Sequence, residues 1–380
     1  MAVDQNLSSR INLMRILLIS GIVFVHVPFD PATSPFNGAF GWFDWLRVFL
    51  GDSFFRIGVP CLSAISGYLL FRPGSREFHY PAVLRSKAKT VLAPFLLWNL
   101  GLLVAVLAMQ RANIGVGYFP DLWSASFRDL LSHAFALEGY PVNLPLYFLR
   151  DLLVCILLSP LLAFLVRRAP VLVCGALFIL AILPEVTIGI VLKKSILFSF
   201  AFGIALALHR LDTKALDRYA PAGVAAVLAA AALLAVGLFR TGPDFPFWLD
   251  LARNTMSIVG ALGFWLLSAL LVRTAIGRRL AGTGSLSFWI FCGHYPLLVG
   301  LWMVWNRIAG DGYYPFFYIG AIGATFTILI LSNRFVSLWM PMAYQVLTGS
   351  RGRTRRVVDT PIQTEHAGAP GGAALSQQQR

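Results

Sequence analysis

Two side chains that could do chemistry stand eleven residues apart in the apolar stretch RINLMRILLISGIVFVH, residues 10–26. In a helix that spacing gives roughly 20° of net rotation and about 16 Å of rise, so Arg15 and His26 would project from one face. A guanidinium binds phosphates, and a neutral imidazole is the side chain best suited to general-base catalysis near neutral pH. An ionisable side chain inside an apolar helix indicates a functional site. A structural histidine that bonds a neighbouring helix is the alternative.

Two later apolar stretches add polar residues of the same kind. Arg56 lies in FFRIGVPCLSAISGYLLF, and an arginine inside a membrane span requires an anion, a ring of carbonyls or an aqueous cavity. The Ser66-Gly67-Tyr68 step of that stretch is equally typical of close helix packing through small residues. His294 lies in GSLSFWIFCGHYPLLV, about 14 Å from the inner end of its helix, against about 20 Å for His26. The two histidines could therefore share one cavity.

A fourth stretch, NLPLYFLRDLL, places Arg150 and Asp151 near the outer third of a span. Adjacent residues of a helix diverge by about 100°, so we do not expect these two to pair with each other. An ion pair with other helices, made for structure alone, is the alternative to a role in a site.

The elements that must position these residues are membrane helices. The chain has 380 residues, of which 58% are hydrophobic and only 13% charged, which is typical of a polytopic membrane protein. A window of roughly 20 apolar residues predicts about ten spans. They lie near residues 13–29, 50–71, 90–109, 145–166, 170–186, 194–209, 220–239, 250–272, 285–306 and 314–340.

The net charge of +14 could suggest a nucleic-acid partner, but the placement of the charges explains it as membrane topology. With the N-terminus inside, the cytoplasmic loops carry about 18 Lys and Arg residues and the opposite loops about 7. Most loop carboxylates fall on the outer side. The sequence therefore predicts an all-α membrane protein with both termini in the cytoplasm and a retained first helix.

The sequence predicts one transmembrane domain followed by a C-terminal tail. Residues 1–347 form the predicted transmembrane domain, and residues 348–380 a tail that is basic at GSRGRTRR and then predicted to be disordered. In the long outer loop 110–144, apolar residues at helical spacing predict an interfacial helix, a lid, or a helix packed on the bundle for stability. The four cysteines have no metal-ligand spacing, and we expect no metal.

These stretches resemble the membrane acyltransferase-3 family of bacterial polysaccharide O-acyltransferases, from about residue 10 to about residue 345. Arg15 and His26 match the family's basic residue and histidine of the first helix. FFRIGVPCLSAISGYLL matches its ffR-x-x-VP-x-f-f-x-x-SGY second helix. RSKAKTVLAPFLLW, which ends at Trp98, matches the basic run and third helix. PLYFLRDLL and SLSFWIFCGHYPLL are similar to its fourth-helix and late histidine segments.

The resemblance implies transfer of a succinyl or acetyl group from cytoplasmic acyl-CoA to a hydroxyl of an exported or periplasmic polysaccharide. It implies catalysis at His26, assisted by His294 and Arg56, either with His26 as general base or through an acylated His26. The implied donor-binding residues are Arg15, Arg85, Lys87, Lys89, Trp98, Ser66 and Tyr68. On the side of the acceptor, or of a carboxylate on the acyl group, stand Arg150, Asp151 and Tyr147.

The resemblance also implies a bacterial inner-membrane protein whose donor substrate is acyl-CoA. Its expected partners are coenzyme A, a polysaccharide or oligosaccharide acceptor, membrane lipid and polysaccharide-assembly proteins, without nucleic acid. The chain departs from the family at three points: Asn12 replaces an acidic residue, Arg85, Lys87 and Lys89 replace a paired-arginine motif, and Tyr147 replaces a tryptophan. The rival function is a secondary transporter or flippase-like carrier for an anionic or glycan-linked substrate, although no inverted repeat is found. A non-catalytic sensor or assembly subunit is a third, weaker alternative.

Overall fold

The computed structural model describes residues 5–72 and 78–349, and within them the chain is all-helical. The helices of the first half are α1 (Gln5–Val25), α2 (Trp42–Val48), α3 (Gly58–Phe71), α4 (Tyr80–Lys87), α5 (Ala93–Arg111), α6 (Phe127–Phe135), α7 (Tyr147–Leu157) and α8 (Ser159–Arg168). Those of the second half are α9 (Pro170–Ile182), α10 (Lys194–Leu208), α11 (Ala220–Thr241), α12 (Phe247–Leu271), α13 (Ala275–Gly282), α14 (Leu286–Ile308), α15 (Tyr314–Trp339) and α16 (Pro341–Leu347).

Two of the long helical rods contain π-helical turns. A π-helical segment, Phe49–Phe54, and a 3₁₀ turn, Phe55–Ile57, join α2 to α3 into one rod of 30 residues. Another π-helical segment, Ala88–Leu92, joins α4 to α5. Such turns are rare and occur frequently at functional sites. The first of them leads directly into Arg56.

Seven helices or rods of the described residues are long and apolar enough to cross a membrane. The short helices α7 and α8 meet at 62° and make an eighth if they form one bent span. The helices α9 and α10 are apolar but have only 13 and 15 residues. Each of the ten predicted spans thus coincides with a helix or a bent pair. Both termini can lie in the cytoplasm only if the chain crosses the membrane an even number of times. The number of crossings and the N-in, C-in orientation therefore stay predictions.

The loops gather at two ends of the bundle. At the proximal end, where α1 begins, Arg10 forms a 2.8 Å ion pair with Asp217, in the connection before α11. At the distal end, the Tyr314 hydroxyl donates to the Pro28 carbonyl at 2.9 Å. Loops predicted to lie in the cytoplasm meet at the proximal end, and loops predicted to lie outside meet at the distal end.

The Ser66-Gly67-Tyr68 step marks the place where α3 and α10 cross. A Cβ on Gly67 would lie 2.1 Å from the Phe200 carbonyl oxygen, and a Cβ on Gly203 would lie 2.1 Å from that of Ala64. Only glycine permits this backbone approach. The close-packing interpretation of this step is therefore correct for Gly67.

The helix predicted in the outer loop is α6, and it packs on the bundle. Asn99 of α5, fully buried, donates from its side-chain amide to the carbonyls of His133 and Ala134, near the end of α6. The packing alternative therefore describes α6. The basic run from residue 350 onwards and the rest of the tail lie outside the described residues.

Candidate active site

The two histidines meet in the structure. His26 directly follows α1, and its Nδ1 atom lies 3.3 Å from Nε2 of His294, on α14. Their ring centroids are 5.2 Å apart, and His294 is completely buried. Because α1 begins at Gln5 and ends at Val25, His26 stands at the distal end of its helix and not within it. The helix begins and ends earlier than the predicted span of residues 13–29, so both predicted boundaries were wrong.

Pro296 and Asn143 shape α14 beside His294. Proline has no N–H, so Pro296 leaves the carbonyl of Cys292, four residues earlier, without its helical partner. The side-chain amide of Asn143 donates to that carbonyl at 3.0 Å, and Asn143 itself is fully buried. An unpaired buried carbonyl is costly, so Asn143 stabilises the interrupted helix at this depth.

The hydrogen bonds assign the tautomers of both imidazoles. Nδ1 of His294 lies 3.0 Å and 2.9 Å from the carbonyls of Ile290 and Phe291, which can only accept, so this nitrogen carries the proton. In the neutral ring, Nε2 of His294 is then an acceptor. Nδ1 of His26 faces that acceptor and also the Ile22 carbonyl at 3.0 Å, so it too carries its proton. Nε2 of neutral His26 is therefore left as the free base.

A cavity of about 460 Å³ lies on the proximal side of the histidine pair, lined by Ile19 of α1 and Phe291 of α14 among others. Neither His26 nor His294 is among its lining residues. Its polar lining includes Arg15, Asn12 and Ser66, together with residues at the start of α14. No ion pair or hydrogen bond joins the side chain of Arg15 to another residue in the described part of the chain. A guanidinium in a half-enclosed cavity without a counter-charge is suited to binding an anion.

The other predicted donor-binding residues lie away from this cavity. The Trp98 indole donates to the Leu347 carbonyl at 3.1 Å and meets Trp289 edge-on, which is helix packing. Tyr68 lines a second, apolar cavity of about 430 Å³ on the other side of α3. The three cations of the basic run, Arg85, Lys87 and Lys89, lie in α4 and the π-helical segment after it, and none lines the cavity.

Arg56 lies in the rod that packs against α1 near its distal end. Its guanidinium bonds Asp52 at 2.9 Å. The preceding residue, Phe55, stacks on Phe24, two residues before His26, with ring centroids 5.2 Å apart. The Nε atom of Arg56 is buried and has no hydrogen-bond partner among the described residues. The structure thus brings His26 and His294 together, and it packs the segment that carries Arg56 on α1 beside Phe24. Tyr147, at the start of α7, meets Tyr140 edge-on.

Arg150 and Asp151 pair with each other, which corrects the expectation that adjacent residues would not. The guanidinium reaches back along its flexible stem to the neighbouring carboxylate at 2.9 Å. The Asp151 carboxylate also accepts from the backbone N–H groups of Leu192 and Lys193. Arg150 donates to the carbonyls of Ala136 and Ile190. These contacts fasten two distal loops, so the structural alternative describes this pair.

Sequence reasoning missed Asn143. Asn143 stands among loop-like residues, and its signal was indirect: a proline inside α14 implies an unpaired carbonyl that some donor must cap.

The fold is an all-helical membrane bundle, and its site is a buried histidine pair above a cationic cavity. This combination is typical of a membrane-embedded enzyme. Residues 8–334 match the family model described as an acyltransferase domain, so the chain belongs to the membrane acyltransferase-3 family. It is an acyltransferase, and the carrier and sensor alternatives are set aside.

A curated relative covers almost the same length. The chain is 57% identical over 365 residues to succinoglycan biosynthesis protein ExoH of Rhizobium meliloti (strain 1021), which includes 96% of this chain and 98% of that protein. No solved structure matches the chain.

Proposed function

We propose that this membrane acyltransferase moves an acyl group from acyl-CoA, bound at the proximal end, to a hydroxyl of an exported polysaccharide in the bacterial inner membrane. The observation that carries the proposal is the free Nε2 of His26, held above the cavity that contains Arg15. Succinyl is the acyl group we favour, because the relative's name joins succinate with a glycan.

The spacing along α1 supports the acyl-CoA donor. Arg15 can hold a phosphate group of coenzyme A, since guanidinium and phosphate form charged, bidentate hydrogen bonds. The rise from Arg15 to His26 is about 16 Å, comparable to an extended pantetheine arm, so the thioester would arrive near the imidazole. Basic residues Arg85, Lys87 and Lys89 would add attraction for the anionic donor from outside the cavity.

The proposed reaction is a direct transfer. Nε2 of His26 accepts the proton of the glycan hydroxyl while the hydroxyl oxygen attacks the thioester carbonyl carbon. The C–S bond breaks as the new ester C–O bond forms, and the coenzyme A thiolate takes up the proton from the imidazolium. His294 accepts from Nδ1–H of His26 and thereby stabilises the transient positive charge. Arg56 supplies positive charge near the developing oxyanion.

The test is donor turnover by the purified protein in detergent or nanodiscs. Succinyl-CoA and acetyl-CoA are supplied separately with the exopolysaccharide repeat unit, and free thiol and esterified glycan are both measured. The expected result is matched release of thiol and formation of ester, absent with His26→Ala. Ester formation that continues in a correctly inserted His26→Ala protein would overturn the assignment of the base. Failure of wild-type protein to use either donor would overturn the proposed donor class.

A further inference from the structure

His26 is the first residue after α1, where regular helical hydrogen bonding has ended. Its backbone N–H donates to the Val23 carbonyl at 3.2 Å, which closes a single 3₁₀-type turn. Pro28, two residues later, has no N–H and cannot continue the helix. Helix ends fray unless neighbouring groups hold them. The position of the imidazole therefore depends on what holds the chain just beyond His26.

Tyr314 holds the chain at that point. It is the first residue of α15, it is completely buried, and its hydroxyl donates to the Pro28 carbonyl at 2.9 Å. Its ring meets Trp302 of α14 edge-on, with ring centroids 5.6 Å apart. Trp302 follows His294 by eight residues, about 12 Å farther along the same helix. Tyr314 thus joins the segment that follows His26 to the helix that carries His294.

A buried ion pair packs against the Tyr314 ring. The guanidinium carbon of Arg47 lies 4.2 Å from the ring centroid, and the guanidinium bonds Asp44 at 2.9 Å. Arg47 also donates to the Thr33 carbonyl at 2.8 Å. Both charged side chains are buried, and buried charges that are paired and hydrogen-bonded in this way resist displacement. The ion pair and Tyr314 together fasten residues 27–47, the distal strap, directly after the catalytic histidine.

Tyr318, one turn farther along α15, provides an internal comparison. It too is buried, and its ring centroid lies 5.7 Å from the guanidinium carbon of Arg47. Its hydroxyl has no hydrogen-bond partner among the described residues. The two tyrosines therefore share a helix, burial and a neighbouring cation, but only Tyr314 is bonded to the distal strap by its hydroxyl.

We propose that Tyr314 is a positioning residue for His26: its bond to the Pro28 carbonyl holds the imidazole in place, and Arg47 holds the tyrosine ring. This inference rests on the proposed function, because it concerns the base of that reaction. The contact between Nδ1 of His26 and Nε2 of His294 is 3.3 Å, near the upper limit of a hydrogen bond. A small displacement of the chain at Pro28 would therefore break it and turn the base away from its substrate.

The experiment measures kcat and KM for succinyl-CoA, with the exopolysaccharide repeat unit as acceptor, in folded wild-type protein, Tyr314→Phe and Tyr318→Phe. We expect Tyr314→Phe to lower kcat at least about tenfold, since a misplacement of about 1 Å can cost about 10²-fold in rate. KM should stay unchanged, because neither Tyr314 nor the distal strap lines the cavity that contains Arg15. Tyr318→Phe is the matched control and should keep the wild-type kcat.

Arg47→Lys tests the support of the tyrosine ring. Lysine keeps the positive charge beside Asp44 but loses the planar group that packs on Tyr314. We expect a lower kcat in Arg47→Lys. In the double variant with Tyr314→Phe, kcat should fall by less than the product of the two single effects, because both residues act through one contact.

Each outcome decides one question. An unchanged kcat in Tyr314→Phe, with transfer that still depends on His26, overturns the positioning role and leaves the proposed function standing. An equal fall in Tyr318→Phe, or a change confined to KM, also overturns the inference. If Tyr314→Phe does not fold, the kcat of Arg47→Lys decides, and an unchanged value overturns the inference. Absence of His26-dependent transfer by wild-type protein counts against the proposed function itself.

Discussion

Nε2 of His294 lies 3.3 Å from Nδ1 of His26, and both Nδ1 atoms also face backbone carbonyls of their own helices. Each ring therefore has its proton on Nδ1, and the chain of hydrogen bonds ends at one free nitrogen, Nε2 of His26. An imidazole whose tautomer is set in this way is prepared to accept a proton at a single position.

The first prediction concerns that nitrogen. His26→Ala removes the base and should lower acyl transfer by about 10²- to 10⁴-fold, the usual contribution of a general base. The measurement is ester formation on the glycan by protein of verified membrane insertion. His79→Ala is the matched control, because His79 is exposed and its side chain does not cap the helix that it precedes.

The second prediction separates His294 from His26. His294→Leu removes the acceptor for Nδ1–H of His26, so we expect kcat to fall about 10²-fold with little change in KM for the donor. His294→Gln offers an amide oxygen to the same N–H and should retain more activity than His294→Leu. Equal activity of these two variants would show that the contact does not position His26.

The third prediction concerns the cavity at the proximal end. Arg15→Gln should raise KM for acyl-CoA roughly ten- to a hundredfold, because hydrogen bonds to charged groups contribute about 1.5–3 kcal/mol. Arg279→Gln, an exposed cation of α13 that does not line the cavity, should leave KM unchanged. Initial rates against donor concentration check both.

The third prediction extends to the outer part of the donor route, which charge reversal at Arg85, Lys87 and Lys89 tests. These residues do not line the cavity, so we expect KM to rise more than kcat falls, but by less than in Arg15→Gln. An unchanged KM in this triple variant, at low ionic strength, would remove the basic run from the donor route.

The site was partly predictable because helices are regular. Residue counts and a constant rise predicted that His26 and His294 lie at neighbouring levels, and the structure confirms that the two rings meet, although α1 begins at Gln5 and not near residue 13. The sequence could not predict that Arg15 and Ser66 line the same cavity, because this depends on how α1 and α3 cross. Tyr68, two residues from Ser66, is rotated by about 200° along α3 and therefore faces the other cavity.

The errors have identifiable physical causes. The end of α1 was misplaced because the apolar run continues through Val27 and Pro28 although the helix stops at Val25. The pairing of Arg150 with Asp151 was missed because a 100° rotation describes Cβ directions, whereas a long guanidinium stem can turn back. The role of Asn143 required knowledge of which loop lies beside Pro296, which is tertiary information.

The fourth prediction tests the crossing of α3 and α10. Gly67→Ala would place a Cβ at 2.1 Å from the Phe200 carbonyl oxygen, so the helices must separate, at a cost of about 1–3 kcal/mol. The measurement is thermal unfolding and the yield of folded protein. Gly175→Ala is the control, since a Cβ there meets nothing within 4 Å and alanine favours the helix. A fully stable Gly67→Ala protein would contradict the close approach.

The fifth prediction concerns the distal loops. Asp151→Asn removes the charge that Arg150 and the N–H groups of Leu192 and Lys193 share, so the half-buried guanidinium loses its counter-charge. We expect a lower melting temperature, equivalent to about 1–3 kcal/mol, because buried polar groups are left poorly paired. Glu138→Gln, which breaks an exposed ion pair with Arg128, should leave the melting temperature unchanged. If Asp151→Asn instead keeps its stability and alters the preference between acceptors, Asp151 belongs to the acceptor side, as its place in the sequence first suggested.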